Sequence, residues 1–475
     1  SSWGQKKYQL KSPDGKLIAA ISLNDNINYA ITHQGDTILK PSVLNMSLDN
    51  GTVWGKNSQL KNAKTNTHHQ QINALFYKRN QIDDHYNELV LSFKENFNLI
   101  FRAYNEGIAY RFVSTSDKAI TIKNEEAVFN FTKDFNAYVP YVKGKFKDIE
   151  SQYFNSFENE YTYTPLSKIN ADKLAFSPMV VSLDHGKKVC LAEADLESYP
   201  GMYLTNNNGS TSLQSNFAPY PTATQQGGHN ELQQLVTARQ PYLAKSKAKA
   251  QFPWRIVIVT TNDKQLADND MVYKLAAPSR LADASWVKPG KVAWEWWNHW
   301  GISNVDFEAG INTETYQAYI DFASKNKIEY VILDEGWAVN KKADLFQVVP
   351  EIDLKKLIAH AKAKNVGIIL WAGYYAFERD LEKVCKHYSE MGVKGFKIDF
   401  MDRDDQQMVD FHYRAAAIAA KYKLMLDFHG TYKPTGINRT YPNVINFEAV
   451  HGLEQMKWTG PELDQVTYDV TFPFI

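Results

Sequence analysis

Charged residues interrupt apolar runs in the second half of the chain. In the segment GFKIDFMDRDDQ, Lys397 and Asp399 stand within a run whose other members are apolar. Because side chains alternate along a strand, Phe396, Ile398 and Phe400 are predicted to pack on helices, while Lys397 and Asp399 face the other side. A buried carboxylate beside an ammonium group suits nucleophilic or acid–base chemistry, since the cation favours the ionised acid.

The other apolar runs of this region also end in polar or aromatic residues. These are Glu295, Trp296, Trp297 and Asn298 after the first run, Asp334, Glu335 and Trp337 after the second, Asp427 and His429 after the fifth, and Glu448 after the sixth. Along the sixth run, Ile445 and Phe447 are expected outside, and Asn446 and Glu448 inside. Several inward carboxylates at one rim predict a site for acid–base or metal chemistry. The acids of residues 402–405 are interpreted as a solvated loop that caps the next helix.

The elements that carry these residues alternate between strand and helix patterns after residue 290. Strand-like runs such as YVILDE, VGIILWA and LMLDFHG are separated by segments with apolar residues at helical spacing. Six such units favour a (β/α)₈ barrel, whose active site lies at the carboxyl ends of its strands, over an open sheet. No glycine-rich phosphate loop follows any of the strands. The count reaches about six and a half units at Ile475, so we expect an incomplete barrel with further chain after it.

The first half of the chain has the period-two pattern of strands without intervening helices. Segments such as KLIAAISLNDNINYAITHQGDTIL and ELVLSFKENFNLIFRAYNEGIAYRFV predict a large β-sandwich. The segment SNFAPYPTATQQGGHNE is predicted to be a long loop. We therefore expect an N-terminal β-sandwich domain over 1–262, a linker with some helix over 263–289, and a truncated catalytic barrel over 290–475.

Composition excludes several classes of function. Lys+Arg and Asp+Glu both number 53, so no net charge attracts nucleic acid or an anionic membrane. No apolar run is long enough for a spanning helix. Cys190 and Cys385 are too far apart to form a metal or redox motif. The N-terminus SSWGQKKYQL lacks the apolar centre of a signal peptide, which agrees with a periplasmic or secreted protein whose signal has been removed.

Two carboxylates beside a bond, in a site rich in tryptophan, predict a glycosidase whose partner is a small glycoside. Two other classes of protein are alternatives. A non-catalytic carbohydrate-binding protein on a decayed barrel would keep the tryptophans and lose an acid. A metal-dependent amidohydrolase would need histidine ligands on several strands, whereas only His429 is suitably located. The pattern does not decide which acid has which role, and the oligomeric state stays open.

At these residues the sequence resembles glycoside hydrolase family 97, whose members act on α-linked sugars. The segments that carry the resemblance are EADLESYPGMYL, FAPYP, VAWEWWNHW, YVILDEGWA, GFKIDF and KPTGINRTYPNVINFEAVHGLE. The resemblance implies an N-terminal β-super-sandwich, a (β/α)₈ barrel and a small C-terminal β domain, of which this sequence is expected to contain the first two. It also implies a calcium ion beside the catalytic acids, since oxygen ligands suit this cation.

Residue roles carry over from the family by position. The resemblance implies Asp399 as the nucleophile of a retaining reaction and Glu454 as general acid and base. Gly430 stands where inverting members have a catalytic glutamate. The implied calcium ligands are Glu193, Glu448 and Glu454, and the candidate sugar contacts are Lys397, Asp334, Trp297, Glu295 and His429.

The retaining branch of the family is similar to α-galactosidases, so a retaining, exo-acting enzyme that releases terminal α-D-galactose is expected. A close alternative is cleavage of β-L-arabinopyranosides, whose ring matches α-D-galactose without the hydroxymethyl group. An inverting α-glucosidase is disfavoured by Gly430, because its base would be absent.

Overall fold

A computed structural model describes residues 6–475. Residues 1–5, which begin the predicted N-terminal domain and the SSWGQKKYQL segment, lie outside the described residues. The first half is almost entirely β structure, as its alternating pattern predicts. Its strands are β1 (Lys6–Lys11), β2 (Leu17–Leu23), β3 (Ile27–His33), β4 (Asp36–Leu48), β5 (Val53–Trp54), β6 (Leu60–Asn73), β7 (Gln81–Phe93), β8 (Phe97–Tyr104), β9 (Gly107–Ser114), β10 (Ile120–Asn130), β11 (Asn136–Val139), β12 (Thr162–Pro165), β13 (Met179–Ser182), β14 (Lys188–Ala194), β15 (Tyr203–Thr205), β16 (Ser212–Asn216), β17 (Pro221–Gly227), β18 (Gln233–Arg239), β19 (Ala244–Ser246) and β20 (Trp254–Thr260).

Two nine-stranded antiparallel sheets make up most of this domain. The first has the order β1-β2-β3-β4-β10-β16-β15, with β5 beside β4 and β19 beside β10; the second runs β12-β11-β13-β14-β20-β9-β8-β7-β6. Their inner faces share one hydrophobic core, in which Tyr29 of the first sheet lies 5.3 Å from Tyr110 and 6.1 Å from Phe101 of the second, between ring centroids. Strand β20 is buried along its whole length because its other face packs on Met271 and Leu275.

Helices are few before residue 290 and regular after it. The helices are α1 (Ile149–Gln152), α2 (Lys264–Ala267), α3 (Met271–Leu275), α4 (Thr313–Lys325), α5 (Leu354–Ala363), α6 (Tyr374–Arg379), α7 (Leu381–Met391), α8 (Gln406–Lys421), α9 (Ile437–Thr440) and α10 (Gln465–Thr471). The remaining strands are β21 (Val292–Trp294), β22 (Tyr330–Leu333), β23 (Ala338–Val339), β24 (Asp344–Val348), β25 (Gly367–Gly373), β26 (Gly395–Asp399), β27 (Met425–Phe428) and β28 (Val444–Phe447). Short 3₁₀ turns cover Leu166–Lys168, Asp184–Gly186, His229–Glu231, Glu295–Asn298, Leu453–Lys457 and Phe472–Phe474. The linker contains α2 and α3, as predicted.

The second half is built on one six-stranded parallel sheet with the order β21-β22-β25-β26-β27-β28. Spatial order follows chain order, and α4, α5, α7 and α8 connect successive strands, so the predicted strand–helix units are confirmed. Aspartate side chains cap the N-termini of α5 and α8. Asp353 accepts a hydrogen bond from the Lys356 amide, and Asp405 accepts one from the Met408 amide. No helix among residues 6–475 is both long enough and apolar enough to span a membrane.

Three local predictions are wrong. The segment SNFAPYPTATQQGGHNE is not a long loop, since it contains β17 and the turn of the β17–β18 hairpin. Phe400 does not continue the helix-facing row of Phe396 and Ile398, because the strand ends at Asp399 and the backbone of Phe400 is left-handed (φ 66°), so its ring lines the cavity at the carboxyl edge of the sheet. Ile445 faces inward with Ile332 and Met425, because a β-bulge at this point breaks the alternation.

Candidate active site

A cavity of about 500 Å³ lies at the carboxyl ends of the parallel strands. Its walls come from both halves of the chain: the β17–β18 hairpin and the loop around Glu158 belong to the N-terminal domain, and the rest follows the strands of the sheet. The residues that line the cavity include Glu158, His229, Asn230, Trp296, Trp300, Asp334, Glu335, Asn340, Trp371, Lys397, Asp399, Phe400, Asp402, His429, Gly430, Glu448, Glu454 and Trp458. A mostly apolar cavity with a few convergent polar groups is typical of a ligand site.

Lys397 lies at the centre of a buried charge network. Its Nζ is 2.8 Å from Asp334 Oδ2 and 3.9 Å from Asp399 Oδ2, and it lies 4.5 Å from the centroid of the Trp294 ring. Burial works against its charge, but the carboxylates of Asp334 and Asp399 raise the pKa of Lys397 above its ordinary value. The two carboxylates therefore favour the charged form of Lys397 inside the protein.

Asp399 is held in one orientation by its neighbours. Its Oδ1 accepts a hydrogen bond from the Phe400 amide at 2.8 Å, and its Oδ2 accepts one from the Trp371 indole at 3.1 Å. Burial raises the pKa of Asp399 above its ordinary value, and the positive charges of Lys397 and His429 oppose this rise. The carboxylate thus has a fixed position at the floor of the cavity, with two cations near it.

His429 is a second basic group beside the carboxylates, and its side chain is 14% exposed. Its Nε2 is 3.2 Å from Asp427 Oδ1, and its Nδ1 is 3.3 Å from Glu448 Oε1. Burial alone would neutralise the ring, but the Asp427 and Glu448 carboxylates raise the pKa of His429 well above its ordinary value. Glu448 also accepts a hydrogen bond from the Gly430 amide at 2.9 Å, and His429 in turn lowers the pKa of this glutamate against the effect of burial.

Three carboxylates meet on one side of the cavity. One oxygen from each of Glu158, Glu448 and Glu454 lies within 4.8 Å of the other two. Burial and the Glu448 charge raise the pKa of Glu158 to about 8 and also raise the pKa of Glu454. Acids that repel each other in this way, with only oxygen donors, suit a hard divalent cation such as calcium. The residues present therefore fit the metal that the family resemblance implies.

Glu193 is not part of this group. The structure buries it between two cations, with Oε1 2.5 Å from Lys433 Nζ and Oε2 2.5 Å from Arg255. Despite burial, these two charges lower the pKa of Glu193. Both oxygens are already engaged, so we replace Glu193 by Glu158 in the proposed ligand set. Glu158 lies in an irregular segment with no pattern that could have indicated it from the sequence.

Two predicted sugar contacts also lie elsewhere. Glu295 is fully buried behind Asp334, where it accepts hydrogen bonds from Tyr316 and from the Asp334 amide, each at 2.7 Å. Burial and the Asp334 charge raise its pKa to about 7. Trp297 is 45% exposed and does not line the cavity, whereas Trp296 and Trp300 do. The reason is local: β21 ends at Trp294 and a 3₁₀ turn follows, so strand alternation no longer applies.

The predicted solvated loop after β26 is in fact buried. Asp402, Arg403, Asp404 and Asp405 are all at most 8% exposed, and Arg403 pairs with Asp405 at 2.8 Å. Only the helix-capping role of Asp405 was predicted correctly. Asp402 lines the cavity, where its Oδ2 accepts a hydrogen bond from Gln233 at 2.6 Å, while its buried Oδ1 has no partner among residues 6–475.

The β17–β18 hairpin supplies contacts that the sequence analysis missed. His229 at its turn stacks on Phe400 (4.4 Å between ring centroids), and its Nε2 is 3.0 Å from Glu335. Asn230 and Asn340 donate to the same carboxylate, at 2.7 and 2.9 Å. The Gly-Gly-His-Asn sequence between two alternating runs is a hairpin signal that could have indicated this turn.

The fold and the site together define a class of protein. Several carboxylates gathered at the carboxyl ends of parallel strands, in a cavity lined by tryptophan, are the arrangement of a glycosidase.

Comparison with known proteins gives the family. The model of the family 97 N-terminal glycosyl hydrolase domain matches residues 10–278, and the glycoside hydrolase 97 model matches residues 296–450. The chain therefore belongs to glycoside hydrolase family 97 and is a glycoside hydrolase.

Two curated relatives cover nearly the whole chain. A protein from Bacteroides thetaiotaomicron, named a retaining alpha-galactosidase, is 58% identical over 472 residues, which cover 99% of this chain and 71% of the relative. A probable retaining alpha-galactosidase from Streptomyces bingchenggensis is 24% identical over 486 residues, covering 99% of this chain and 66% of that relative.

Solved structures share the fold. A family 97 enzyme from Pseudoalteromonas sp. strain K8 in complex with acarbose has a TM-score of 0.81 at 22% identity, covering 95% of this chain and 70% of its own. A beta-arabinopyranosidase has a TM-score of 0.79 at 22% identity, covering 95% of this chain and 71% of its own.

Proposed function

We propose that this glycoside hydrolase is a retaining, exo-acting enzyme that releases terminal α-D-galactose by double displacement. The observation that carries the proposal is the Bacteroides relative named a retaining alpha-galactosidase, which is 58% identical across 99% of this chain. The cavity supports it, because Asp399 and Glu454 both line it and Gly430 offers no carboxylate for an inverting base. An inverting α-glucosidase is disfavoured for the same reason.

In the first displacement, the Asp399 carboxylate attacks the anomeric carbon while Glu454 gives its proton to the leaving oxygen. The bond between the anomeric carbon and that oxygen breaks, and a galactosyl ester of Asp399 forms. The hydrogen bonds from Phe400 and Trp371 fix the direction of attack. Burial and the Glu448 charge raise the pKa of Glu454 above its ordinary value, and this direction of shift suits a general acid.

In the second displacement, the Glu454 carboxylate takes a proton from a water molecule as the water oxygen attacks the anomeric carbon. The ester bond breaks, Asp399 leaves as a carboxylate, and the sugar keeps its original anomeric configuration. Lys397 and His429 are the positive charges that act on Asp399, so they stabilise the negative charge that returns to its carboxylate.

Lys397, Asp334 and His429 are also the proposed contacts to sugar hydroxyl groups. All three line the cavity, Lys397 Nζ lies 3.9 Å from Asp399 Oδ2, and the charges of Asp334 and His429 both act on the pKa of Asp399. Trp296 and Trp300 replace Trp297 as the proposed aromatic walls, because they line the cavity with apolar ring surface that can pack on a sugar face.

Calcium is the proposed cofactor, with Glu158, Glu448 and Glu454 as its protein ligands. When bound, the ion would supply positive charge beside the sugar and hold the three carboxylates together. The chemistry of the donor set supports calcium, since all three side chains offer oxygen atoms only.

Membership of family 97 also supports proposals about the architecture and the location of the protein. We infer that the two large sheets form a β-super-sandwich and that the six parallel strands belong to a (β/α)₈ barrel. The domains proposed are 1–262, a linker over 263–289, and a barrel from residue 290. A periplasmic or secreted location suits an enzyme that acts on glycosides outside the cytoplasm.

A direct test follows the hydrolysis of p-nitrophenyl α-D-galactoside by NMR, using wild type and Asp399→Gly. We expect α-galactose as the first product and a loss of kcat of about 10³-fold or more in the variant. Azide should partly restore turnover in Asp399→Gly and give β-galactosyl azide, because the small anion occupies the space of the missing carboxylate. A first product of inverted configuration, or full activity in the variant, would defeat the mechanism.

The same assay with p-nitrophenyl β-L-arabinopyranoside tests the second candidate, for which the fold neighbour named a beta-arabinopyranosidase is the motive. A higher kcat/KM for the arabinopyranoside would replace galactose as the proposed substrate while leaving the mechanism in place.

Removal of the metal is a separate test. We expect EDTA to lower kcat and added calcium to restore it, with Glu158→Gln showing a weaker calcium affinity than wild type. If Glu193→Gln instead weakens calcium binding and Glu158→Gln does not, the ligand set proposed from the cavity is wrong.

A further inference from the structure

A second group of possible metal ligands lies on the long β6–β7 hairpin, outside the cavity described above. It consists of His69 on β6 and Asp83 and His85 on β7. One donor atom from each of the three side chains lies within 4.8 Å of the other two. None of the three lines the candidate active-site cavity.

The register of the two strands brings these side chains to one face. His69 is directly opposite His85, and Asp83 lies two residues from His85 along β7 and therefore on the same face. The His69 Nε2 is 2.8 Å from Asp83 Oδ1, and the two imidazole rings are stacked with centroids 4.1 Å apart. The backbone pairing of the hairpin places the three residues next to one another on one face, and their side-chain conformations set the distances between the donor atoms.

The donor set selects a class of ion. Two imidazole nitrogens and one carboxylate oxygen suit zinc and other first-row divalent transition metals, whereas calcium prefers oxygen ligands alone. Zinc bonds of about 2.0–2.1 Å require donor atoms roughly 3.4 Å apart in a tetrahedron. His69 and Asp83 have side chains 57% and 56% exposed, so small rotations can bring the three donors together without disturbing a core.

The position of the hairpin gives such an ion a structural effect. Strand β6 is at the edge of its sheet, and most of its side chains are exposed on both faces. An edge strand with little buried surface depends on its pairing with one neighbour. An ion bound by His69 of β6 and by two residues of β7 would link the edge strand β6 to its neighbour β7 and stabilise their pairing.

We propose that His69, Asp83 and His85 form a surface site for one first-row divalent transition-metal ion, with water completing the coordination. This site is separate from the group of Glu158, Glu448 and Glu454 in the cavity, and the proposal does not depend on the proposed α-galactosidase activity.

The test titrates zinc into the calcium-saturated protein by calorimetry, with cobalt(II) absorption as a second readout. His69→Asn and His85→Asn each remove one nitrogen donor. His68→Asn is the matched control, because His68 directly precedes His69 on β6, has its side chain on the opposite face and stacks on Tyr86. Calcium saturation keeps the cavity carboxylates from contributing to the zinc signal.

We expect one zinc equivalent in wild type and in His68→Asn, and an affinity lower by about tenfold or more in His69→Asn and His85→Asn. The visible bands of bound cobalt should follow the same pattern, and at equal zinc concentration the thermal midpoint should rise more in wild type and His68→Asn than in His69→Asn and His85→Asn. Absence of zinc binding to wild type, or equal binding by all four proteins, would overturn the proposal. Circular dichroism of each variant verifies that the hairpin domain is folded.

Discussion

Individual residues at the cavity floor are fixed by opposite charges at short range. Lys397 lies between Asp334 and Asp399, and His429 lies between Asp427 and Glu448, so each buried cation has two anionic neighbours. Burying an unpaired charge is costly, and the neighbouring opposite charges offset part of that cost. The pKa of Asp399 nevertheless rises, because burial outweighs the nearby cations.

Gly430 shows how little space the cavity floor leaves. Its φ is +54°, and a Cβ built on it would lie 2.5 Å from Asp402 Oδ1 and 2.9 Å from the Phe400 amide nitrogen. A side chain at this position therefore conflicts with both the backbone conformation and the positions of its neighbours.

We predict that Gly430→Ala lowers the stability of the protein by about 1–3 kcal/mol and reduces kcat/KM, because Phe400 and Asp402 must move. The thermal midpoint and the hydrolysis of the galactoside measure the two effects. Gly452→Ala is the control, since a Cβ there meets nothing within 4 Å. Equal behaviour of the two variants would show that the floor is more adaptable than the geometry indicates.

At the scale of elements, the polar groups lie at the carboxyl ends of the strands. Helix α8 directly follows the buried loop after β26. Asp405 caps α8, and His412 on its buried face is 1% exposed. The His412 Nδ1 is 2.8 Å from the Met408 carbonyl oxygen, and its Nε2 is 2.9 Å from Thr431 in the loop that follows β27. This histidine therefore links the helix to the loop beside the cavity.

Burial lowers the pKa of His412 from 6.5 to about 4. Because the folded-state pKa lies below that of the unfolded chain, its contribution to stability is fully present above about pH 6.5 and is lost as the pH falls toward 4.

We predict that His412→Gln makes stability less sensitive to acid. Between pH 7 and pH 5, wild type should lose about 2 kcal/mol more than the variant, because only wild type must keep a buried imidazole neutral. Urea unfolding of both proteins at the two pH values gives this difference, and the other titrating groups cancel in the comparison. Parallel losses in the two proteins would contradict the assignment.

At the scale of the whole molecule, the N-terminal domain takes part in the site rather than standing beside it. It supplies Glu158, the hairpin residues His229 and Asn230, and the Gln233 contact to Asp402. A buried ion network joins the halves: Glu193 of β14 is bonded to Arg255 of β20 and to Lys433, which follows β27.

We predict that Lys433→Met destabilises the protein by about 3 kcal/mol, because Glu193 then keeps only one of its two cations. Lys421→Met is the control, since Lys421 pairs with Glu382 at the surface and its loss should change little. Thermal and urea unfolding of both variants provide the comparison. A midpoint for Lys433→Met equal to that of wild type would show that Arg255 alone neutralises Glu193.

The sequence by itself determined the strand and helix patterns, the inward direction of Lys397 and Asp399, and the concentration of acids at strand ends. These features follow from local periodicity, which any strand obeys while its backbone stays regular. Predictions failed where regularity ended: at the 3₁₀ turn that carries Trp297, at the left-handed Phe400, and at the bulge that turns Ile445 inward.

Only the tertiary structure decided which distant residues meet. It brought Glu158 rather than Glu193 to Glu448 and Glu454, and it inserted the β17–β18 hairpin into the cavity wall. It also buried the acids after β26, which look like a solvated loop in the sequence. These outcomes depend on how two domains pack, and no spacing within a single segment encodes a contact between residues hundreds of positions apart.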